Sequence, residues 1–210
     1  MRGLSLILVL ANAGPVAAET PTVSTDIELE YLLAPGGSGS ANETSLSVVV
    51  EVEKAGIYGG LAVKAVNDKT LNELALSFGY RGAMAGGLGF DLGYTRYAYP
   101  NDSAADFGEV VLGLEKGFGA AVTATFELGY DPQAQLANAY LEVAYSASDK
   151  FDLSTNCGVY EVDAAPSESE WDFGVTYAVS EEAGVDLRYY DGTEYADAYV
   201  GLAFTWEPSF

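Results

Sequence analysis

Histidine is absent from the 210 residues, cysteine occurs once, and only nine residues are Lys or Arg. Each scarcity removes a class of chemistry. Without imidazole, a Ser-His-Asp lipase, an Asp-His protease and a His-dependent acyl transferase all lose their general base. Histidine metal sites go as well, and Cys157 alone builds neither a thiolate cluster nor an internal disulfide. It reads as a small apolar filler on a strand. The nine basic residues face 31 acidic ones, for a formal net charge of −22. No basic stripe is available to displace counterions from a polyanion, so nucleic acid is not an expected partner. Cations or basic partners are favoured instead. Past the N-terminal segment, no run approaches the ~18 apolar residues that a spanning helix needs, so any membrane crossing must use strands.

What is present is apolar and aromatic. Hydrophobic residues make up 49% of the chain, charged ones only 19%, and there are 24 Gly, 15 Tyr and 9 Phe. That is too apolar for a disordered acidic chain. Residues 1–18 have the form of a signal peptide. Arg2 is the positive start, Leu4 through Leu10 the apolar stretch, and Val16-Ala17-Ala18 the small residues before cleavage. The expected mature chain is residues 19–210, a single barrel domain beginning at Glu19.

The remainder repeats one pattern. Short stretches alternate apolar and polar residues with period two, punctuated by Gly, Pro, Asn, Asp and Ser. Ile27, Leu29, Tyr31 and Leu33 oppose Asp26, Glu28 and Glu30; Leu46, Val48, Val50 and Val52 oppose Ser45, Ser47, Glu51 and Glu53. The pattern recurs through Leu74–Tyr80, Leu88–Tyr94, Val110–Leu114, Val122–Tyr130, Leu141–Tyr145, Phe151–Val159, Trp171–Tyr177, Val185–Tyr189 and Val200–Trp206. A stretch at 57–66 is blurred by glycine and carries Lys64. These make about twelve strands of ~10 residues, the length that crosses a bilayer when tilted ~45°. The stretches at 57–66 and around 110–114 are the least regular, so ten strands is the alternative.

The connections alternate in length. Those at 34–43, 67–70, 100–106, 131–137, 163–170 and 191–195 are mostly longer and polar, and those at 54–56, 116–119 and 180–184 are tighter; the segment 81–87 breaks the trend. Short turns on one side and longer loops on the other are the habit of outer-membrane barrels. A soluble β-sandwich also alternates. Lipid is favoured here because the apolar face often ends in Tyr, Trp or Phe, as interfacial girdles do, and because only a closed barrel satisfies every backbone group in hydrocarbon. The expected fold is therefore all-β, a closed antiparallel up-and-down transmembrane β-barrel.

The last strand carries Tyr199, Gly201, Phe204 and Trp206, and the chain ends on Phe210. This resembles the terminal-strand signal read by the barrel assembly machinery, although Glu207-Pro208-Ser209 separates Phe210 from the strand. The runs Gly56-Ile57-Tyr58-Gly59-Gly60-Leu61, Gly93-Tyr94-Thr95-Arg96-Tyr97-Ala98-Tyr99-Pro100 and Phe107-Gly108-Glu109-Val110-Val111-Leu112-Gly113-Leu114 resemble the TorF family of porin-like outer-membrane proteins of proteobacteria. The likeness covers about residues 26–206, and the family's early Arg-Gly pair is not found in the first strands. The resemblance implies a barrel with a pore, and no catalytic residues.

The candidate pore-lining residues on the polar face are Glu28, Glu30, Lys64, Glu73, Glu109, Glu127, Glu142, Asp172 and Arg188. Glu30, Glu73, Glu109, Glu127 and Asp172 are expected near the outer end beside Lys64, with Arg188 nearer the middle. A ring of like carboxylates in a narrow mouth concentrates cations. Glu28 and Glu142 are the kind of carboxylates that could do acid–base work on a sugar, but nothing singles out that pair, and they read as solvated lumen charges. Asn67-Asp68 and Asn101-Asp102 lack the spacing of a closed calcium loop. No cofactor, metal or enzymatic activity is expected. The expected partners are lipid of a Gram-negative outer membrane, the assembly machinery, and small solutes or cations. Two functions remain open: a diffusion channel preferring cations, or a structural or recognition barrel plugged by its own side chains. Inward Gly, Ala, Ser and Thr favour the first; inward Tyr97, Tyr140, Tyr160, Tyr190 and Tyr199 favour the second.

Overall fold

A computed structural model describes residues 20–33, 42–67, 72–193 and 198–209. Residues 1–18, expected to be a signal peptide, and the terminal Phe210 lie outside the described residues. Twelve strands run in chain order: β1 (Thr22–Leu33), β2 (Glu43–Lys54), β3 (Ile57–Val66), β4 (Glu73–Met84), β5 (Leu88–Ala98), β6 (Phe107–Phe118), β7 (Val122–Asp131), β8 (Leu136–Ser148), β9 (Phe151–Tyr160), β10 (Glu168–Ala178), β11 (Ala183–Gly192) and β12 (Tyr199–Trp206). Each pairs antiparallel with its sequence neighbours. β1 closes the sheet on β12, from Ile27 opposite Trp206 to Leu33 opposite Val200. Closure leaves no edge strand with unpaired backbone groups.

Because side chains alternate across a strand, the period-two pattern fixes the two faces of the wall. Leu29, Leu46, Leu61, Leu76, Leu92, Leu112, Phe126, Leu141, Phe173, Leu187 and Leu202 all point outward and are exposed. Aromatic residues flank this aliphatic band. Tyr31, Tyr130, Trp171 and Tyr189 lie toward one end; Tyr80, Phe118, Tyr145, Phe151, Tyr177 and Trp206 lie toward the other. An apolar belt edged by aromatic girdles is the outer surface a bilayer requires. The buried side chains are inside instead, and many are polar: Ser45, Glu73, Arg81, Asp91, Thr95, Asp131 and Asp172.

The connections sort cleanly by end. Those at 55–56, 85–87, 119–121, 149–150 and 179–182 are short, and the strand ends that flank 34–42, 67–72, 99–106, 132–135, 161–167 and 193–198 are at the opposite end. At 55–56 both residues take positive φ (Ala55 53°, Gly56 81°), which matches the twist of the flanking strands. The apparent exception at 81–87 disappears. β4 continues to Met84, leaving a three-residue turn in which Gly86 and Gly87 have positive φ. The sequence hid this because Gly79, Gly82 and Ala83 carry no apolar mark.

Candidate functional site

The inner wall is the candidate site. All nine sequence-selected residues lie on it: Glu28 and Glu30 on β1, Lys64 on β3, Glu73 on β4, Glu109 on β6, Glu127 on β7, Glu142 on β8, Asp172 on β10 and Arg188 on β11. Glu30, Glu73, Glu109 and Asp172 sit in the half of their strands nearer the long loops. Glu127, fifth from the long-loop end of β7 as Asp172 is of β10, is in that half too, and Glu142, the seventh of thirteen residues in β8, is at mid-wall. Lys64 stands directly opposite Glu73 and Ser47 in register.

Further carboxylates on the same faces are Asp26, Glu43, Glu51, Glu53, Asp91, Glu115, Asp131, Asp152, Glu168, Glu170 and Asp186, whereas the strands add only Arg81 to the inward cations. Arg81 was missed in the sequence because it was read as part of a turn. Its position was legible all the same: it follows Glu73, Ser77 and Gly79 at even spacing, which puts it on the inward face.

Both arginines are tied down. Arg81 bonds Glu51 at 2.9 Å, Asp91 at 3.2 Å and Glu53 at 3.3 Å, and its guanidinium lies 4.0 Å from the centre of the Tyr58 ring. The Tyr58 hydroxyl donates to Asp91 at 2.7 Å. Arg188 pairs with Asp172, bonds Asp186 at 3.1 Å and donates to the Ser154 hydroxyl at 2.7 Å; Thr176 donates to Asp186 at 2.7 Å. Going round the barrel, the first cluster occupies the wall from β2 to β5 and the second the wall from β9 to β11, roughly diametrically opposed. Each arginine has more than one carboxylate against it, so neither offers an uncompensated positive charge to the lumen.

Tyrosines stand among the acids toward the long-loop end. Tyr99 donates to Glu73 at 2.6 Å, Tyr190 to Glu30 at 3.1 Å and Tyr160 to Glu168 at 3.0 Å. Tyr97 stacks on Phe107 with ring centres 4.5 Å apart. Asn138 donates to Glu109. These bonds run along the wall between strands. No group of His, Cys, Asp and Glu among the described residues is arranged to hold a metal ion.

No family model and no curated protein matches the chain. Among solved structures it is similar to the KdgM porin, with a TM-score of 0.69 at 8% identity over 88% of this chain and 99% of that one. It is also similar to the NanC porin (0.65, 10%, 89% and 100%) and to the COG4313 outer membrane channel from Pseudomonas putida F1 (0.52, 10%, 94% and 97%). At such identities the likeness establishes the fold, a closed barrel of the outer-membrane porin kind.

Proposed function

We propose that this chain is an outer-membrane channel of Gram-negative bacteria for the passive diffusion of small solutes, that it prefers cations, and that it belongs with the TorF-like porins. The observation that carries the reading is the charge of the inner wall. Carboxylates line it from Asp26 to Asp186, and against them stand Lys64 and two arginines already paired to acids. Fixed like charges inside low-dielectric walls raise the local concentration of counterions and exclude co-ions.

The fold relatives support the channel, and the charge separates this chain from one of them. A KdgM structure is described as a complex with disordered oligogalacturonate. That ligand is a polyanion, which a wall of carboxylates repels. Cationic and neutral solutes are the compatible classes here. The plugged-barrel reading draws on the inward tyrosines, Tyr97 being 5% exposed. Purified barrel in a planar bilayer decides between them: discrete conductance steps support the channel, and a silent bilayer with inserted protein supports the plug.

A further inference from the structure

Several wide inner side chains lie across a neighbouring strand, and where they lie that strand has glycine. Tyr58 on β3 is in register with Gly79 on β4, which is in register with Gly93 on β5, and the hydroxyl reaches Asp91 on β5. A side-chain carbon at either glycine would overlap the Tyr58 ring or hydroxyl. Arg188 on β11 is in register with Gly174 on β10, itself in register with Ser154 on β9, which Arg188 bonds across it. Asn138 on β8 crosses Gly129 on β7 to reach Glu109 on β6. Tyr190 on β11 passes over Gly201 on β12, 2.9 Å from where a Cβ would stand, to reach Glu30 on β1. Tyr140 on β8 lies against Gly158, its register partner on β9.

The arrangement repeats around the wall: a long side chain on one strand, glycine on the next and, in four of these cases, a polar partner on the strand beyond. We propose that these glycines are the width-setting residues of the channel, seats that hold Tyr58, Asn138, Tyr140, Arg188 and Tyr190 flat so that the centre of the bore stays clear. The proposal rests on the channel reading. It also accounts for glycines in strand interiors, where lost side-chain packing and backbone entropy otherwise disfavour them.

Gly158→Ala and Gly174→Ala test it most cleanly. At these two positions the atoms an added methyl would meet are the Tyr140 ring and the Arg188 guanidinium, both side chains, whereas at Gly79 it would also meet the Leu92 carbonyl at 2.7 Å. Each added methyl should lift the seated side chain into the lumen and lower the single-channel conductance. Adding Tyr140→Ala to the first variant, or Arg188→Ala to the second, should restore it. Folded barrels of both glycine variants with unchanged conductance would overturn the proposal, as would a loss that the second substitution does not reverse. If the unaltered protein conducts nothing, the channel reading fails by itself. The seats are then read by NMR contacts between the Tyr140 ring and the Gly158 α-protons, which the proposal requires in the unaltered barrel and whose absence would overturn it.

Discussion

The Tyr58 hydroxyl donates to Asp91 two strands away, over a glycine, and the same carboxylate receives Arg81. One tyrosine, one arginine and three acids thus form a single polar cluster near the short-turn end of the barrel, with Arg81 and Asp91 buried and Glu51 and Glu53 half-buried. Such a cluster is favourable only when every member is satisfied. Arg81 and Asp91 are 4% and 3% exposed, so removing the cation strands its partners. Arg81→Met should destabilise the folded barrel by about 3–5 kcal/mol. Adding Asp91→Asn should recover part of that loss. Urea unfolding in lipid vesicles, followed by tryptophan fluorescence, measures both.

Tyr58→Phe probes the same cluster more gently. It removes the donor to a charged acceptor while keeping the ring under Arg81. A loss of about 1.5–3 kcal/mol is expected in the same unfolding measurement. No change would mean that water replaces the hydroxyl freely.

The outer face makes a different demand. Leu112, Phe126, Val143 and Phe173 point outward, whereas Ser77 and Thr125 point inward. Arg at one of the four outward sites near the midplane should cost about 2–4 kcal/mol in a bilayer, and Arg at an inward site little. Equal tolerance on both faces would contradict embedding in lipid.

Processing is tested at the protein's end. If Val16-Ala17-Ala18 closes a signal peptide, N-terminal sequencing of protein from the outer-membrane fraction should read from Glu19. Met1 retained on protein in the cytosol would contradict export.

Particular residues show how far the sequence could be read. Strands such as β7, with Val122, Ala124, Phe126, Leu128 and Tyr130 against Thr123, Thr125, Glu127 and Gly129, announce both faces at once. β3 and the second half of β4 do not. Glycine and alanine fall on both of their faces there, so the alternation fades, and Tyr58 and Arg81 passed unnoticed on the inner wall. Inward placement of the acids followed from parity alone. Their partners did not, because Tyr190 meets Glu30 only through the closure of β12 on β1, a pairing between the two ends of the chain. Height within the wall was also hidden. It depends on strand tilt and register, which the alternation of residues does not carry.

The selectivity of the pore tests the central claim. Reversal potentials should be measured across a planar bilayer under a salt gradient, at low and at high ionic strength. The account predicts cation preference, strongest at low salt, because the screening length falls from ~10 Å at 0.1 M to ~3 Å at 1 M. Changing Glu73, Glu109 and Glu127 together to Gln should reduce that preference without abolishing conductance. Anion preference in the unaltered protein, or a preference that the triple substitution leaves untouched, would contradict the role given to the acidic wall.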